Sequence, residues 1–373
     1  MPRASSGDHA VKLLTPMASV TIDIGALRHN LDLIRRLAPK SRVMAVIKAN
    51  AYGHGLIAVA RALQAADAFA VARVQEGLAL RAAGIKTPIV LLEGAFDREQ
   101  LDAAIAADLQ LVVHCPEQIE MLQGVGAATA LKIWLKLDSG MNRLGFKGDA
   151  FREAHAAVCA LPASGGAVNL MTHLSSADML ELPTTAEQLM VFGAASRSLP
   201  GERSLASSAA ILKFPESHAD WVRPGIMLYG ISPFPRSSGA EYGLRPVMTL
   251  SSRVIAVKDV AEGEQVGYGG DWTATRPTRL AVASIGYGDG YPRSAASGTP
   301  VLVNGEMASL AGRVSMDMIA IDVTETRKAV QVGDSVVLWG EGLAVEEVAL
   351  WSETVAYTLP CGITPRVTVT VRE

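Results

Sequence analysis

Along the first two-thirds of the chain, short apolar runs alternate with longer stretches whose apolar residues recur every three or four positions. The runs fall at residues 43–47, 68–71, 89–92, 110–113, 132–137, 168–171, 204–206 and 221–222. Each is short and rich in β-forming residues, which predicts strands. Segments between them, such as 74–83 and 116–122, carry the helical period. Eight strands joined by helices predict a (β/α)8 barrel, with a doubly wound sheet as the alternative. The run at 221–222 is the weakest of the eight, because apolar residues resume at Ile226–Tyr229.

After about Arg245 the pattern changes. Residues 247–257, 279–284, 300–303, 318–323 and 335–338 alternate or cluster β-formers, with Asn304-Gly305 and Val332-Gly333-Asp334 as turns between them. A helical period survives only at Val345–Trp351. The expected division is a barrel over residues 1–245 and a smaller, mainly β domain over 246–373. The chain has no internal repeat of fixed period and no low-complexity stretch.

Composition narrows the range of partners. At 373 residues, 49% apolar and 19% charged, the chain suits a globular protein of two domains. A net charge of −3 offers no basic surface for nucleic acid or an anionic membrane, so a small molecule is the expected partner. The three cysteines, Cys115, Cys159 and Cys361, are far apart, and the seven histidines are scattered. That pattern predicts free thiols in a reducing compartment and no metal site. The first seventeen residues hold only a short apolar stretch, residues 11–14, and no later run is long enough to span a bilayer. A cytoplasmic protein is expected.

The segment richest in chemistry is Ala45-Val-Ile-Lys48-Ala-Asn-Ala-Tyr52-Gly53-His54-Gly55. An apolar strand ends in a lysine and passes at once into a turn of small residues. In a parallel barrel the carboxyl ends of the strands build the active site. A lysine there is partly desolvated, which lowers its pKa and frees the amine to attack a carbonyl. The competing reading is a lysine that merely snorkels out of a barrel end.

This segment resembles the cofactor-lysine signature of the alanine racemases, pyridoxal-phosphate enzymes of the barrel class. The resemblance continues in order from about Ala18 to Val371. It includes Lys136-Leu-Asp-Ser-Gly-Met-Asn-Arg143, Thr172-His173, Ser207-Ser208-Ala-Ala, Arg223-Pro-Gly225-Ile226, Gly267-Tyr268-Gly, Ile285-Gly-Tyr287-Gly-Asp-Gly290, Gly312-Arg-Val-Ser-Met316-Asp317 and Tyr357-Thr-Leu-Pro-Cys-Gly-Ile-Thr-Pro-Arg366.

The resemblance implies pyridoxal 5'-phosphate held by Lys48 as a Schiff base, and a homodimer whose active sites are shared between subunits. Lys48 would move the α-proton of alanine on one face, and Tyr268, supplied by the other subunit, on the opposite face. A tyrosine's ordinary pKa near 10 makes it a poor base at neutral pH, and His173, touching Arg223, is the implied stabiliser of its anion. Arg223 would face the pyridine nitrogen and, being unable to give up its proton, would leave the ring a weaker electron sink. Ser208, the backbone N–H groups of Gly225 and Ile226, and the phenols of Tyr52 and Tyr357 form the implied phosphate cradle. Ser207 departs from the family pattern, which often has Asn there.

Arg143 is the implied ligand of the cofactor ring oxygen and the substrate carboxylate. Lys136 takes the place of a lysine that some members carbamylate; pairing with Asp138 is the alternative. Met316, again from the other subunit, would offer its N–H to the substrate, with Asp317 and Tyr287 at the entrance. The implied activity interconverts L- and D-alanine, either to supply D-alanine for peptidoglycan or to degrade it. A racemase of serine or of larger amino acids is a second reading. A third is a non-catalytic cofactor-binding protein, although such single-barrel homologues lack a β domain bearing Tyr268 and Met316. A decarboxylase of the same class would carry a glycine-rich phosphate loop where Ser207-Ser208-Ala-Ala stands.

Overall fold

The structure, a computed structural model, describes residues 16–373; the apolar stretch at 11–14, weighed above as a leader core, lies outside them. The chain opens with strand β1 (Ala18–Asp23) and then builds eight parallel strands. These are β2 (Arg42–Val46), β3 (Ala68–Val71), β4 (Ile89–Leu91), β5 (Leu109–Val113), β6 (Ile133–Lys136), β7 (Val168–Met171), β8 (Arg203–Ser207) and β9 (Trp221–Arg223). They close into a barrel, with Val43 of β2 in register with Val222 of β9. The weakest of the predicted strands is therefore the one that seals it.

Burial on both faces explains the near-continuous apolar runs. Met44, Val46, Ala68, Ala70, Val90, Val112, Trp134, Met171 and Trp221 fill the barrel interior as one cluster. Their sequence neighbours Val43, Ala45, Phe69, Leu111 and Leu135 face the surrounding helices instead. The two indoles meet edge-on with centroids 6.0 Å apart, and Trp134 donates to the amide oxygen of Gln110.

The second body is an eight-stranded sheet. After β10 (Met248–Val260) come the short β11 (Gln265–Val266) and β12 (Trp272–Thr273), which pair only with each other. Then follow β13 (Thr278–Ala283), β14 (Pro300–Val303), β15 (Glu306–Leu310), β16 (Ile319–Asp322), β17 (Ser335–Trp339) and β18 (Thr368–Arg372). The sheet order is β13-β16-β15-β14-β17-β10-β1-β18, and β13 also pairs back onto β10. Asn304 and Gly305, both with positive φ, turn β14 into β15 as a two-residue hairpin.

The placement of β1 departs from the sequence reading. β1 lies upstream of the barrel in sequence, inside the span 1–245 expected for it, but it belongs to the second sheet, antiparallel to β10 and parallel to β18. Its partners lie some 230 and 350 residues away in sequence, and local patterning carries no trace of such pairing. Among the described residues no helix is long and apolar enough to cross a membrane.

Candidate active site

The period of two along a strand decides which side chains reach the barrel mouth. Lys136 stands two residues after Trp134 and Arg223 two after Trp221, so both point along the interior at the carboxyl ends of β6 and β9. The cavity they enter measures about 500 Å³. Lys48, Tyr52, Lys136, Arg143, His173, Ser208, Arg223, Gly225, Ile226 and Tyr357 all line it. The ten candidates of the first 230 residues and the C-terminal segment are thus brought together from β2, β6, β7, β8, β9 and the segment after Trp351.

Lys48 is set by an unusual turn. Ala49, Asn50, Ala51 and Tyr52 all have φ between 53° and 54°, in the left-handed region. A left-handed residue other than glycine costs roughly 1–2 kcal/mol, so something must hold four in succession. Backbone bonds from Gly53 to Ala49 and from Gly55 to Asn50, both 3.0 Å, close the turn. The Asn50 side chain accepts from Leu56 N–H at 2.8 Å, and Glu76 accepts from Ala49 N–H at 2.6 Å. Burial and the nearby Arg143 guanidinium hold the Lys48 amine below the ordinary lysine range.

Opposite the lysine, small groups form a concave wall. Ser208 Oγ accepts from Gly225 N–H at 3.0 Å and from Met227 N–H at 3.3 Å, joining the ends of β8 and β9. A Cβ at Gly225 would stand 2.6 Å from the Tyr52 hydroxyl, so only glycine leaves that phenol its place. Tyr52 stacks at a tilt on Tyr229, centroids 4.9 Å apart, and lies 6.4 Å from the Tyr357 ring. Burial pushes the Tyr52 phenol up to about 12, so it stays protonated and can donate. The hydroxyls of Ser208 and Tyr52 meet beside Gly225 at one concave spot, which suits a phosphate.

The floor of the cavity is a cluster of cations with little anionic relief. Arg223 is 5% exposed, and among the described residues no carboxylate pairs with it. Its guanidinium donates to Ser204 Oγ at 2.8 Å, to the carbonyl of Thr172 at 2.5 Å and, more weakly, to that of Leu205 at 3.3 Å. Burial lowers Arg223 to about 10, which leaves it charged at neutral pH. His173 Nδ1 lies 3.4 Å from Arg223 Nη2. A guanidinium can only donate, so Nδ1 accepts and the ring proton sits on Nε2. Burial, Arg223, Lys136 and Arg143 drive the His173 pKa well below its usual value, which keeps the imidazole neutral.

Lys136 is brought down to about 8 by burial, then by Arg223, Arg143 and Lys48. Asp138 is not its ion partner. That carboxylate accepts from the N–H groups of Gly140 and Asn142, at 3.0 Å each, and pairs with Lys147 at 3.7 Å.

The remaining four candidates lie elsewhere. Tyr268, Met316 and Tyr287 are 68%, 52% and 40% exposed, and with Asp317 they stand outside the cavity lining of this chain. They share one surface of the β domain. Gly286 packs so closely on Ser315 that a Cβ would lie 2.2 Å from its carbonyl, and Gly288 N–H donates to Met316 O at 2.8 Å. Arg366 joins Asp289 and Asp317, at 3.3 Å and 2.7 Å. Tyr268 sits in the turn between β11 and β12, which is tied to Arg313 by the Arg313–Asp271 ion pair.

Sequence reasoning passed over several contributors. Glu93, at the end of β4, lines the cavity with Met141 and Met171. Thr172 and Ser204 orient Arg223, and Glu76 holds the Lys48 turn. Glu93 was open to discovery because it follows a predicted strand of the barrel; Glu76 sits inside a helical period and carried no signal.

Known proteins resemble this chain along nearly its whole length. Residues 22–233 match the model of the alanine racemase N-terminal domain and residues 247–371 that of the alanine racemase C-terminal domain. An alanine racemase of Aeromonas hydrophila is 51% identical over 355 residues, covering 94% of this chain and 98% of that protein. The crystal structure of the biosynthetic alanine racemase from Pseudomonas aeruginosa superposes with a TM-score of 0.92 at 46% identity, over 96% of this chain and 100% of that one. The alanine racemase of Bartonella henselae, a structure described with covalently bound pyridoxal phosphate, gives 0.87 at 27% identity over 96% and 100%. With both family domains matched in order across nearly its whole length, the chain belongs to the alanine racemase family.

Proposed function

We propose that this chain racemises alanine with pyridoxal phosphate bound to Lys48, in a homodimer whose sites are completed across the subunit interface. The observation that carries the reading is the cavity at the barrel mouth, where a desolvated amine, an acid-free buried arginine and a hydroxyl-lined concave wall meet. Those groups fit the cofactor in kind: an amine for its aldehyde, hydrogen-bond donors for its phosphate and a cation for its ring nitrogen. When bound, the cofactor supplies an electron sink that makes the α-proton of an amino acid removable.

The chain's own residues would do the rest. Ser208, Tyr52, Tyr357 and the N–H groups of Gly225 and Ile226 would hold the phosphate, and Arg143 would orient the substrate carboxylate. Arg223, able only to donate, would keep the ring nitrogen as an acceptor, weakening the sink and suppressing side reactions of a long-lived carbanion. Lys48 Nζ would take or return the α-proton on one face. Tyr268 of the partner subunit would serve the other face, with the neutral His173 offering Nε2–H to its oxygen. The partner subunit's Met316 would present its N–H to the substrate, with the partner subunit's Asp317 and the partner subunit's Tyr287 lining the entrance. Lys136, buried beside Arg143 with a depressed pKa, has the free amine that carbamylation requires, and the carbamate would give Arg143 an anionic partner.

Two features support a shared site. Exposed tyrosines and a methionine cluster on one face of the β domain, and they lie outside their own chain's cavity. We place the enzyme in the cytosol, where its three unpaired cysteines would stay reduced.

The test is exchange of the α-proton for deuterium, with optical rotation followed in parallel, for alanine, serine and lysine, with and without added pyridoxal phosphate. Cofactor-dependent racemisation fastest on alanine is expected. Exchange without inversion, or equal efficiency on alanine and lysine, would reject the reading.

A further inference from the structure

We propose that Glu76 is a positioning residue for Lys48: its carboxylate ties the left-handed turn after the lysine to the end of the neighbouring barrel strand. The inference deepens the reading of Lys48 as the attachment lysine and rests on it.

Both carboxylate oxygens are in use, and on different elements. Oε1 accepts from Ala49 N–H at 2.6 Å, the amide immediately after Lys48. Oε2 accepts from Ala72 N–H at 2.9 Å and Arg73 N–H at 3.2 Å, at the end of β3. Glu76 is itself the third residue of the helix Val74–Ala82, and its own N–H is bonded to Arg73 O. One half-buried side chain therefore spans the carboxyl ends of β2 and β3 behind the lysine. Ala49 is also the first of the four left-handed residues, so the tether acts where the chain leaves ordinary geometry.

A helix cap alone would need only the Oε2 half of this arrangement. The Oε1 half reaches across to another element, toward the residue next to the reacting amine. The negative charge matters as well. Burial and Arg143 lower the Lys48 pKa, while Glu93, then Glu76 and Cys361, raise it. Glu76 thus opposes, with Glu93, the pull of burial and Arg143 on the Lys48 amine.

An amide in place of the carboxylate has one acceptor and one donor group, so it can satisfy one side of the bridge and must turn N–H groups toward the other. Glu76→Gln should accordingly weaken the tether and Glu76→Ala remove it. Three readouts apply to the full chain. The first is amide hydrogen exchange at residues 49–53 without cofactor. The second is the rate at which pyridoxal phosphate forms a borohydride-fixable adduct located on Lys48 by mass. The third is the split between kcat and KM.

For Glu76→Ala, exchange at 49–53 should rise about tenfold or more as local opening becomes easier. Adduct formation should slow by a similar factor, and kcat should fall roughly 10- to 100-fold with KM nearly constant, because a misplaced group loses rate rather than binding. Glu76→Gln should fall between wild type and Glu76→Ala, and it carries the test if the alanine variant does not fold. Adding Ala49→Gly to Glu76→Ala should recover part of the adduct rate, since glycine takes the left-handed conformation without a tether. If Glu76 variants lose thermal stability but keep exchange at 49–53 and adduct rate within about twofold of wild type, Glu76 is only a helix cap and the proposal is overturned. Should the wild-type chain form no adduct on Lys48, the functional reading fails, while the exchange data still decide the tether.

Discussion

Arg223 and Tyr268 stand at opposite extremes of exposure, 5% against 68%, yet both are assigned to the same reaction. Around Arg223 everything is assembled within one chain: its donors are matched to Ser204, Thr172 and Leu205, and neighbouring pKa values are shifted by burial and mutual repulsion. The Tyr268, Met316 and Tyr287 side chains themselves stay largely in contact with water. The barrel cavity is a prepared electrostatic environment, where charge interactions are strong because water is scarce. The β-domain face supplies geometry only, with its turns locked onto one another, and would gain its chemistry by burial against a partner. A site divided this way would couple activity to assembly.

Substitutions on the two sides should therefore fail differently. The largest effect is expected at Lys48. Lys48→Ala should remove the yellow borohydride-fixable adduct and cost on the order of 10⁴-fold or more in rate, since covalent attachment and one proton carrier go together. Finding the adduct on Lys136 or Lys132 instead would undo the assignment. Next, Tyr268→Phe should cost roughly 10²- to 10⁴-fold, with cofactor binding and the fold of the isolated chain unaffected. A simultaneous loss of cofactor would show that Tyr268 belongs to the barrel side of the comparison.

Arg223→Glu probes the prepared environment itself. It should slow racemisation and raise transamination, because a carboxylate favours a protonated ring nitrogen. It should also cost about 1–3 kcal/mol of stability, by leaving the carbonyl oxygens of Thr172 and Leu205 without donors. An unchanged spectrum and partition between products would place Arg223 away from the ring.

A smaller, pH-dependent effect is expected at Lys136. Its folded pKa of about 8 lies below the ordinary 10.5. Between those values the unfolded chain binds the extra proton, so stability rises with pH across that window, and below pH 8 the full penalty of a buried charge applies. In carbon-dioxide-free buffer Lys136→Met should be more stable than wild type at pH 7, by up to roughly 3 kcal/mol. The gap should close toward pH 10.5. A gap independent of pH in urea unfolding would contradict the depressed pKa.

The barrel was legible because strands buried on both faces leave uninterrupted apolar runs, and eight of them stood in order. Trp221–Arg223 was the faintest, since its run merges with the apolar residues that follow. β1 escaped for another reason: its pairing with β10 and β18 is decided by residues hundreds of positions away. In the site, Lys48, Arg143 and Arg223 were legible through motif resemblance, and strand parity accounts for where Lys136 and Arg223 point. Glu76 was not, because a carboxylate on a helix has the same local pattern whether it faces solvent or a lysine. No sequence pattern announces four left-handed residues in a row either; only Asn50 among them favours that conformation.

The shared site is the central claim, and mixing two dead variants tests it most directly. Lys48→Ala and Tyr268→Phe are each prepared as inactive protein and combined under conditions that exchange subunits. A mixed dimer would hold one site lacking both groups and one site with both intact. Random pairing makes about half the dimers mixed, each with one good site of two, so roughly a quarter of wild-type activity should return. Verified subunit exchange with no recovered activity would mean that Lys48 and Tyr268 act within one chain, and the division drawn here between barrel and β-domain face would be wrong.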